Sequence, residues 1–243
     1  MLTKFLPILL ALPLLASNEP SLNATQKQEV KDLVAQTLKE NPKLIVDSLV
    51  EIRKQQMAEY QKQAEKNIAK YSDDIYDKNV DLVLGNPKAK ITIVEFMDYN
   101  CGHCKSLAKT LENMTKNNRD LKVIIKDLPY FGESSMTAAK AAYAANQQYN
   151  FEKFHYAILE QKQQANEENM LTLAKKLGLN LTKYKKDFAS KEAENYIQNN
   201  VELAKNLEIY ATPAMIVGKK TANVFVAGAI PAEKLAEIIS SVQ

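Results

Sequence analysis

The chain has 243 residues, 46% of them hydrophobic and 25% charged, with 6 Gly, 8 Pro, 2 Cys and no Trp. That composition excludes wholesale disorder, a collagen repeat and a disulfide-dense miniprotein, and the length suffices for one large domain or a medium domain with an appendage. A net charge of +3 over 32 basic and 29 acidic residues provides no strong field for nucleic acid or anionic lipid, so a mixed-sign, solvated surface is predicted.

Residues 1–16 read as a secretory signal. Lys4 precedes an apolar run from Phe5 to Ala16, about twelve residues where a membrane-spanning helix needs about 20. The predicted cut is near Ala16. No cysteine follows the run to carry a lipid anchor, so the expected product is exported, periplasmic and soluble, with membrane association through an uncleaved segment as the alternative. With only Cys101 and Cys104 present, no disulfide framework stabilises it, and a loop closed by two cysteines so near in sequence removes little chain entropy. The pair is there for chemistry or for a metal.

Residues 17–76 are predicted to be a helical segment. Thr25-Gln26-Lys27-Gln28 has capping-box spacing, followed by Val30, Leu33, Val34 and Leu38 on one face. Asn41-Pro42 ends that helix, with Asn41 placed to cap the next. Met57, Tyr60, Ala64, Ile68, Tyr71 and Ile75 then step by three and four. This narrow stripe on a charged helix needs a surface to pack on, either the main domain or another copy of the chain.

Residues 77–243 read as the main domain. Val80–Leu84 alternates as a strand and Gly85-Asn86-Pro87 turns. Ile91–Met97 and Leu121–Ile125 are β-branched, apolar runs of the kind buried on both faces, with a helix predicted over 102–116 between them. This β-α-β order implies parallel strands and a right-handed crossover. Helical patterns then occupy about 133–207: Ser134–Tyr149, Phe151–Gln161, Glu167–Leu177 closed by Gly178, and Ser190–Leu207. Strands resume at Ala214–Val217 and Val224–Ala227, and Pro231 opens a last helix. The fold class is α/β, a sheet interrupted by a helical insertion.

Cys101-Gly102-His103-Cys104 falls where a strand gives way to a helix. Unpaired N–H groups and the helix dipole there stabilise a thiolate at Cys101. Cys104 lies one turn inward, shielded, which makes an exposed nucleophile and a buried resolving thiol. His103 adds charge or a hydrogen bond near Cys101. Glu95, a carboxylate in an apolar strand, is expected beneath the cysteines with a raised pKa, exchanging a proton with Cys104. Lys126, ending the next strand, is its expected partner. Thr212-Pro213 opens a strand, and a cis bond there brings Pro213 against the cysteines.

With these residues in place, the sequence resembles the thioredoxin superfamily and, within it, the DsbA family of exported disulfide oxidoreductases. The resemblance spans roughly Val80 to Val242 and rests on Glu95, Cys101-Gly102-His103-Cys104, Lys126, Thr212-Pro213 and Gly228-Ala-Ile-Pro231. It implies a thioredoxin fold with a helical insertion. It also implies Cys101 as nucleophile, Cys104 as resolving thiol, Glu95 with Lys126 as proton relay, and Thr212-Pro213 as substrate-binding cis-proline loop. The redox-active disulfide Cys101–Cys104 is then the only redox group needed, with no separate cofactor and no metal. Ala211 and Gly218-Lys219 depart from the Gly and Asn-Gly of many relatives. Gly102-His103 and Thr212 look more like disulfide isomerases than a dedicated oxidase. The N-terminal segment looks similar to that of oligomeric relatives, so a dimer or trimer with oxidase and isomerase activity is expected. Its partners are then unfolded or misoxidised exported proteins and a membrane redox protein, not nucleic acid.

Three other readings stay open at this point: a monomeric oxidase, a non-catalytic envelope protein with a vestigial dithiol, and a zinc site using both cysteines with His103 and His155. His155 is read as a partly buried surface residue outside the site. His103 sits awkwardly inside the loop for a shared tetrahedron.

Overall fold

A computed structural model describes residues 22–76 and 82–242. The signal segment of residues 1–16 and the first part of the predicted opening strand, Val80 and Asp81, lie outside the described residues. The chain divides into two compact units, residues 1–57 and 58–243.

In the first unit α1 (Ala24–Glu40) precedes the opening half of α2 (Lys43–Lys70). The capping box forms two residues earlier than the sequence indicates, at Asn23 and not Thr25. The Asn23 side chain accepts from the Gln26 N–H, and the Gln26 side chain accepts from the Asn23 N–H. Asn and Thr both suit the cap position, and the chain uses the earlier of the two Gln-spaced candidates. Asn41 serves the helix behind it, donating its amide to the Thr37 carbonyl at 3.0 Å. No residue of α1 is buried, and Leu33, Val34, Val46 and Val50 are all more than half exposed.

The second unit opens with the rest of α2 and the single turn α3 (Ser72–Ile75). Here the predicted stripe finds its surface. Ala64, Ile68 and Ile75 are buried with Val94, Phe96, Ile216 and Phe225, and Tyr60 and Tyr71 pack at the margin. The Tyr60 ring meets Phe225 edge-on at 5.5 Å. Met57 stays exposed.

A five-stranded sheet forms the centre of this unit: β1 (Leu82–Gly85), β2 (Ile91–Met97), β3 (Leu121–Asp127), β4 (Ala214–Lys219) and β5 (Ala222–Ala227), in the order β1-β3-β2-β4-β5. β2 and β3 run parallel and the other neighbours antiparallel. α4 (Gly102–Asn117) makes the crossover. Every residue of β2 is buried, which accounts for its apolar run, broken only by Thr92 and Glu95. Odd-numbered Ile91, Ile93 and Met97 join the larger core; Val94 and Phe96 join the smaller one on the opposite face. At the β4–β5 turn Gly218 has φ +144, and an added Cβ would lie 2.3 Å from the Ala222 carbonyl oxygen, so only glycine fits.

Between β3 and β4 come α5 (Glu133–Asn146), α6 (Phe151–Leu159), α7 (Glu167–Lys176), α8 (Leu181–Phe188) and α9 (Lys191–Asn206), and α10 (Ala232–Ser241) closes the chain. This is the predicted α/β thioredoxin architecture with its helical insertion. α8 is absent from the sequence reading. It has eight residues, one of them buried (Tyr184), with Asn180 as N-cap, too short a pattern to register as a 3.6-residue period.

Candidate active site

The chain leaves the C-terminal end of central β2 through Asp98-Tyr99-Asn100, and Cys101 becomes the N-cap of α4. Its N–H is already spent on the Asp98 carbonyl at 3.0 Å. Its sulfur faces the Thr212 carbonyl oxygen at 3.4 Å. The Thr212-Pro213 bond is cis, and the Pro213 carbonyl accepts from the Gly228 N–H at 2.9 Å. Two segments far apart in sequence therefore meet at one sulfur, and a third, at Gly228, bonds to the proline loop.

The two thiols differ as their positions demand. Cys101 is 5% exposed and Cys104 fully buried, so the difference in access is narrower than the sequence implies. Burial raises the Cys101 thiol, but hydrogen bonds from the Thr212 side chain, from the Cys104 N–H and thiol, and from the His103 N–H outweigh it, and the net shift is downward. The Cys104 thiol goes up, through burial first and then the charge of Glu95. What His103 brings to Cys101 is its backbone N–H, while its ring is exposed.

Glu95 sits on the central strand opposite Ile125 of β3 and Met215 of β4, 2% exposed, its Oε1 without a hydrogen-bond partner. Burial, then the charge of Cys101, pushes its pKa up to about 8. The expected partnership with Lys126 is overturned by register. Lys126 pairs with Phe96, not Glu95, and alternation puts it on the opposite face with Ile124. There it lines a concavity with Asp74, Glu192, Tyr196 and Asn200. The ionisable residue of β3 on the face of Glu95 is the next one, Asp127.

Several site neighbours escaped the sequence reading. Asp98 is 2% exposed; its Oδ1 accepts from the Asn100 N–H and the Ser135 hydroxyl, both at 2.7 Å, and its Oδ2 from the Phe131 N–H at 3.2 Å. The Asn100 amide continues to the Ser134 and Ser135 hydroxyls at 2.7 and 2.8 Å. Asp98 ties the cysteine loop to the 131–135 segment, and an acid closing an apolar strand was the available signal. His155, read as a surface residue, is 1% exposed. Its Nδ1 lies 2.9 Å from the Tyr99 hydroxyl, and burial pushes its pKa down to about 3. The flanking Phe151 and Phe154 are also buried, so α6 carries this imidazole into the core as a neutral ring. Among the described residues no three of His, Cys, Asp and Glu converge as metal ligands.

A thioredoxin family model matches residues 77–240. The chain belongs to the thioredoxin family. Within the family its similarity is to DsbA-like and ScsC proteins, as the motifs indicate. ScsC of Proteus mirabilis in a transitional conformation is 30% identical at a TM-score of 0.65, over 90% of this chain and 98% of that one. The thiol-disulfide exchange protein alpha-DsbA2 of Wolbachia pipientis is 26% identical at a TM-score of 0.68, over 76% and 98%. Among curated proteins, the thiol:disulfide interchange protein DsbA of Bordetella pertussis is 25% identical over 134 residues, 53% of this chain and 64% of that protein. The chain spans only 22% of the Na(+)/H(+) antiporter NhaA 3 of Salinispora tropica, to which it is 24% identical over 143 residues, 58% of this chain. Among the described residues no helix is long and apolar enough to cross a membrane.

Proposed function

We propose that the protein is an exported thiol–disulfide oxidoreductase whose reaction is exchange between the Cys101/Cys104 pair and cysteines of client proteins. The observation that carries this is the contrast between two sulfurs one helical turn apart. One is stabilised as a thiolate by the Thr212 side chain and by the N–H groups of Cys104 and His103; the other is fully buried and held protonated. The Cys101 thiolate attacks a client disulfide and forms a mixed disulfide, releasing one client thiolate. Cys104 gives its proton to Glu95 and attacks the Cys101 sulfur, so the intramolecular disulfide forms as the client leaves reduced. Run backwards, the same steps oxidise a client dithiol. Hydrogen bonds that favour the Cys101 thiolate stabilise the dithiol and make the disulfide the more oxidising form. Thr212 offers its carbonyl edge to the client chain, and half-exposed Tyr130 with exposed Phe131 offers it an apolar surface.

The finer reading is an oligomer, dimer or trimer, that isomerises as well as oxidises. Its support is the apolar surface left exposed on α1 and the first half of α2, together with a similarity to ScsC that runs over 90% of this chain. A second copy of the chain is the occupant of that surface. Its compartment is the periplasm, in keeping with the description of a Salmonella enterica relative as a periplasmic thioredoxin-like protein. A membrane protein there resets the dithiol or disulfide.

Purified protein should accelerate the reduction of insulin by dithiothreitol. Cys101→Ala should abolish this, and Cys104→Ala should accumulate mixed disulfides with clients. Wild type as inert as Cys101→Ala would return the chain to a non-catalytic envelope role. Light scattering should give the mass of a dimer or trimer; a monomer would remove the isomerase reading alone.

A further inference from the structure

More acid is buried behind the dithiol than exchange through Glu95 alone employs. Asp127 is 1% exposed and neither of its carboxyl oxygens has a hydrogen-bond partner; Glu95 Oε1 likewise has none. In the parallel pairing Glu95 faces Ile125 and Met97 faces Asp127, so the two carboxyl groups are diagonal neighbours on one face of the sheet. Burial, then the charges of Asp98 and Glu95, holds the Asp127 carboxyl well above its usual range. Asp98 in turn bonds to the Phe131 N–H and the Ser135 hydroxyl of a segment that reaches solvent at Phe131. Of the tyrosines whose charge couples to this cluster, Tyr156 of α6 has a buried hydroxyl without a partner and two are occupied. The Tyr99 hydroxyl pairs with His155, and the Tyr196 hydroxyl donates to the Ile125 carbonyl.

Two carboxyl groups in one apolar layer cannot both ionise without large cost, so they share protons as a pair. Buried polar atoms without partners are rare enough to require a reason. We propose that Asp127 is a proton-passing residue acting through Glu95, the middle station of a file running from Cys104 by way of Glu95 and Asp127 to Asp98 and the 131–135 segment. This rests on the reading above, in which Glu95 serves Cys104. When Cys104 resolves a mixed disulfide, its sulfur bonds to the Cys101 sulfur, the bond from Cys101 to the client breaks, and the client leaves as a thiolate. The proton of Cys104 goes to the Glu95 carboxylate. Glu95 regains its carboxylate by protonating Asp127 as Asp127 gives its own proton to the Asp98 carboxylate, and from there to water. The two electrons of the dithiol end on the client sulfurs.

The test uses the full-length reduced protein and an aromatic disulfide that releases coloured thionitrobenzoate. The first release reports attack by Cys101 and the second reports resolution by Cys104. Asp127→Asn should leave the first release within about twofold and slow the second about tenfold, less than the roughly hundredfold or more of a group that transfers the proton to the reacting atom directly. It should also flatten the pH dependence of the second release, and Asp127→Glu should restore most of both. A second release with wild-type rate and pH profile in Asp127→Asn would overturn the proposal, and Glu95→Gln locates the failure. If Glu95→Gln slows the second release and Asp127→Asn does not, Asp127 is excluded and Glu95 retained; if neither slows it, the underlying reading falls too. Should Asp127→Asn fold poorly, infrared redox-difference spectra of wild type decide. Two protonated carboxyl bands changing on oxidation support the file, and a single band that vanishes in Glu95→Gln overturns it.

Discussion

The sulfur of Cys101 lies 3.4 Å from the carbonyl oxygen of Thr212, a residue 111 positions further along the chain. Against burial and against that carbonyl, which accepts from the protonated thiol, the Thr212 side chain, the N–H groups of Cys104 and His103 and the Cys104 thiol lower the Cys101 pKa. Thiolate absorbance followed against pH in the reduced protein should therefore show one midpoint below that of an ordinary thiol, absent in Cys101→Ala. The dithiol form gains stability from this group above the unfolded thiol pKa and loses it as pH falls through the folded one. A midpoint at the ordinary thiol value would show that the hydrogen bonds do not outweigh burial.

Glu95 behaves in the opposite sense. Its pKa is raised from 4.5 to about 8 by burial and by Cys101, so the folded protein is penalised as pH rises from the unfolded value toward 8. Glu95→Gln should leave stability little changed near pH 4 and raise it at pH 8, by on the order of 3 kcal/mol. The same variant should slow resolution by Cys104 roughly hundredfold or more. Lys126→Met, on the other face of the sheet, should leave the resolution rate within about twofold of wild type. Urea unfolding at the two pH values and single-turnover exchange check these outcomes. Destabilisation of Glu95→Gln at pH 8 would contradict the assignment.

His155 supplies an acid-side counterpart. Burial pushes its pKa from 6.5 to about 3, so the unfolded state binds the proton first and stability declines as pH falls below about 6.5. His155→Gln, which keeps a hydrogen-bonding group beside Tyr99, should flatten the urea midpoint between pH 6.5 and 4. An unchanged slope would place the acid sensitivity elsewhere.

The later part of α2 contributes to the core through Ile68, which is 2% exposed among Val94, Phe96 and Phe225. Ile68→Ala should cost about 2–5 kcal/mol in chemical denaturation. Val50→Ala, at an exposed position, should cost little in a monomer; a lowered oligomer mass in Val50→Ala would indicate that this surface is covered by another copy.

Much of this architecture is legible because burial and chain direction leave periodic marks. β2 and β3 are readable as fully buried strands from their β-branched runs, and the cysteines from their place between strand and helix. The place of Lys126 is not legible because adjacency along the chain says nothing about which face of a sheet a side chain takes. A one-residue difference exchanges Lys126 for Asp127, and only the register with Glu95 decides it. Asp98 and His155 were missed or misread for a related reason. A polar side chain looks like surface until the tertiary partners that satisfy it are known, here Asn100, Ser135 and Phe131 for Asp98 and Tyr99 for His155.

The most direct test of the account is site-resolved alkylation of the reduced protein by iodoacetamide at neutral pH, with each cysteine quantified by mass spectrometry. Cys101 should be modified first, and Cys104 should stay protected until the fold is opened by denaturant. Equal labelling of the two thiols, or faster labelling of Cys104, would contradict the division of roles on which the proposed chemistry stands.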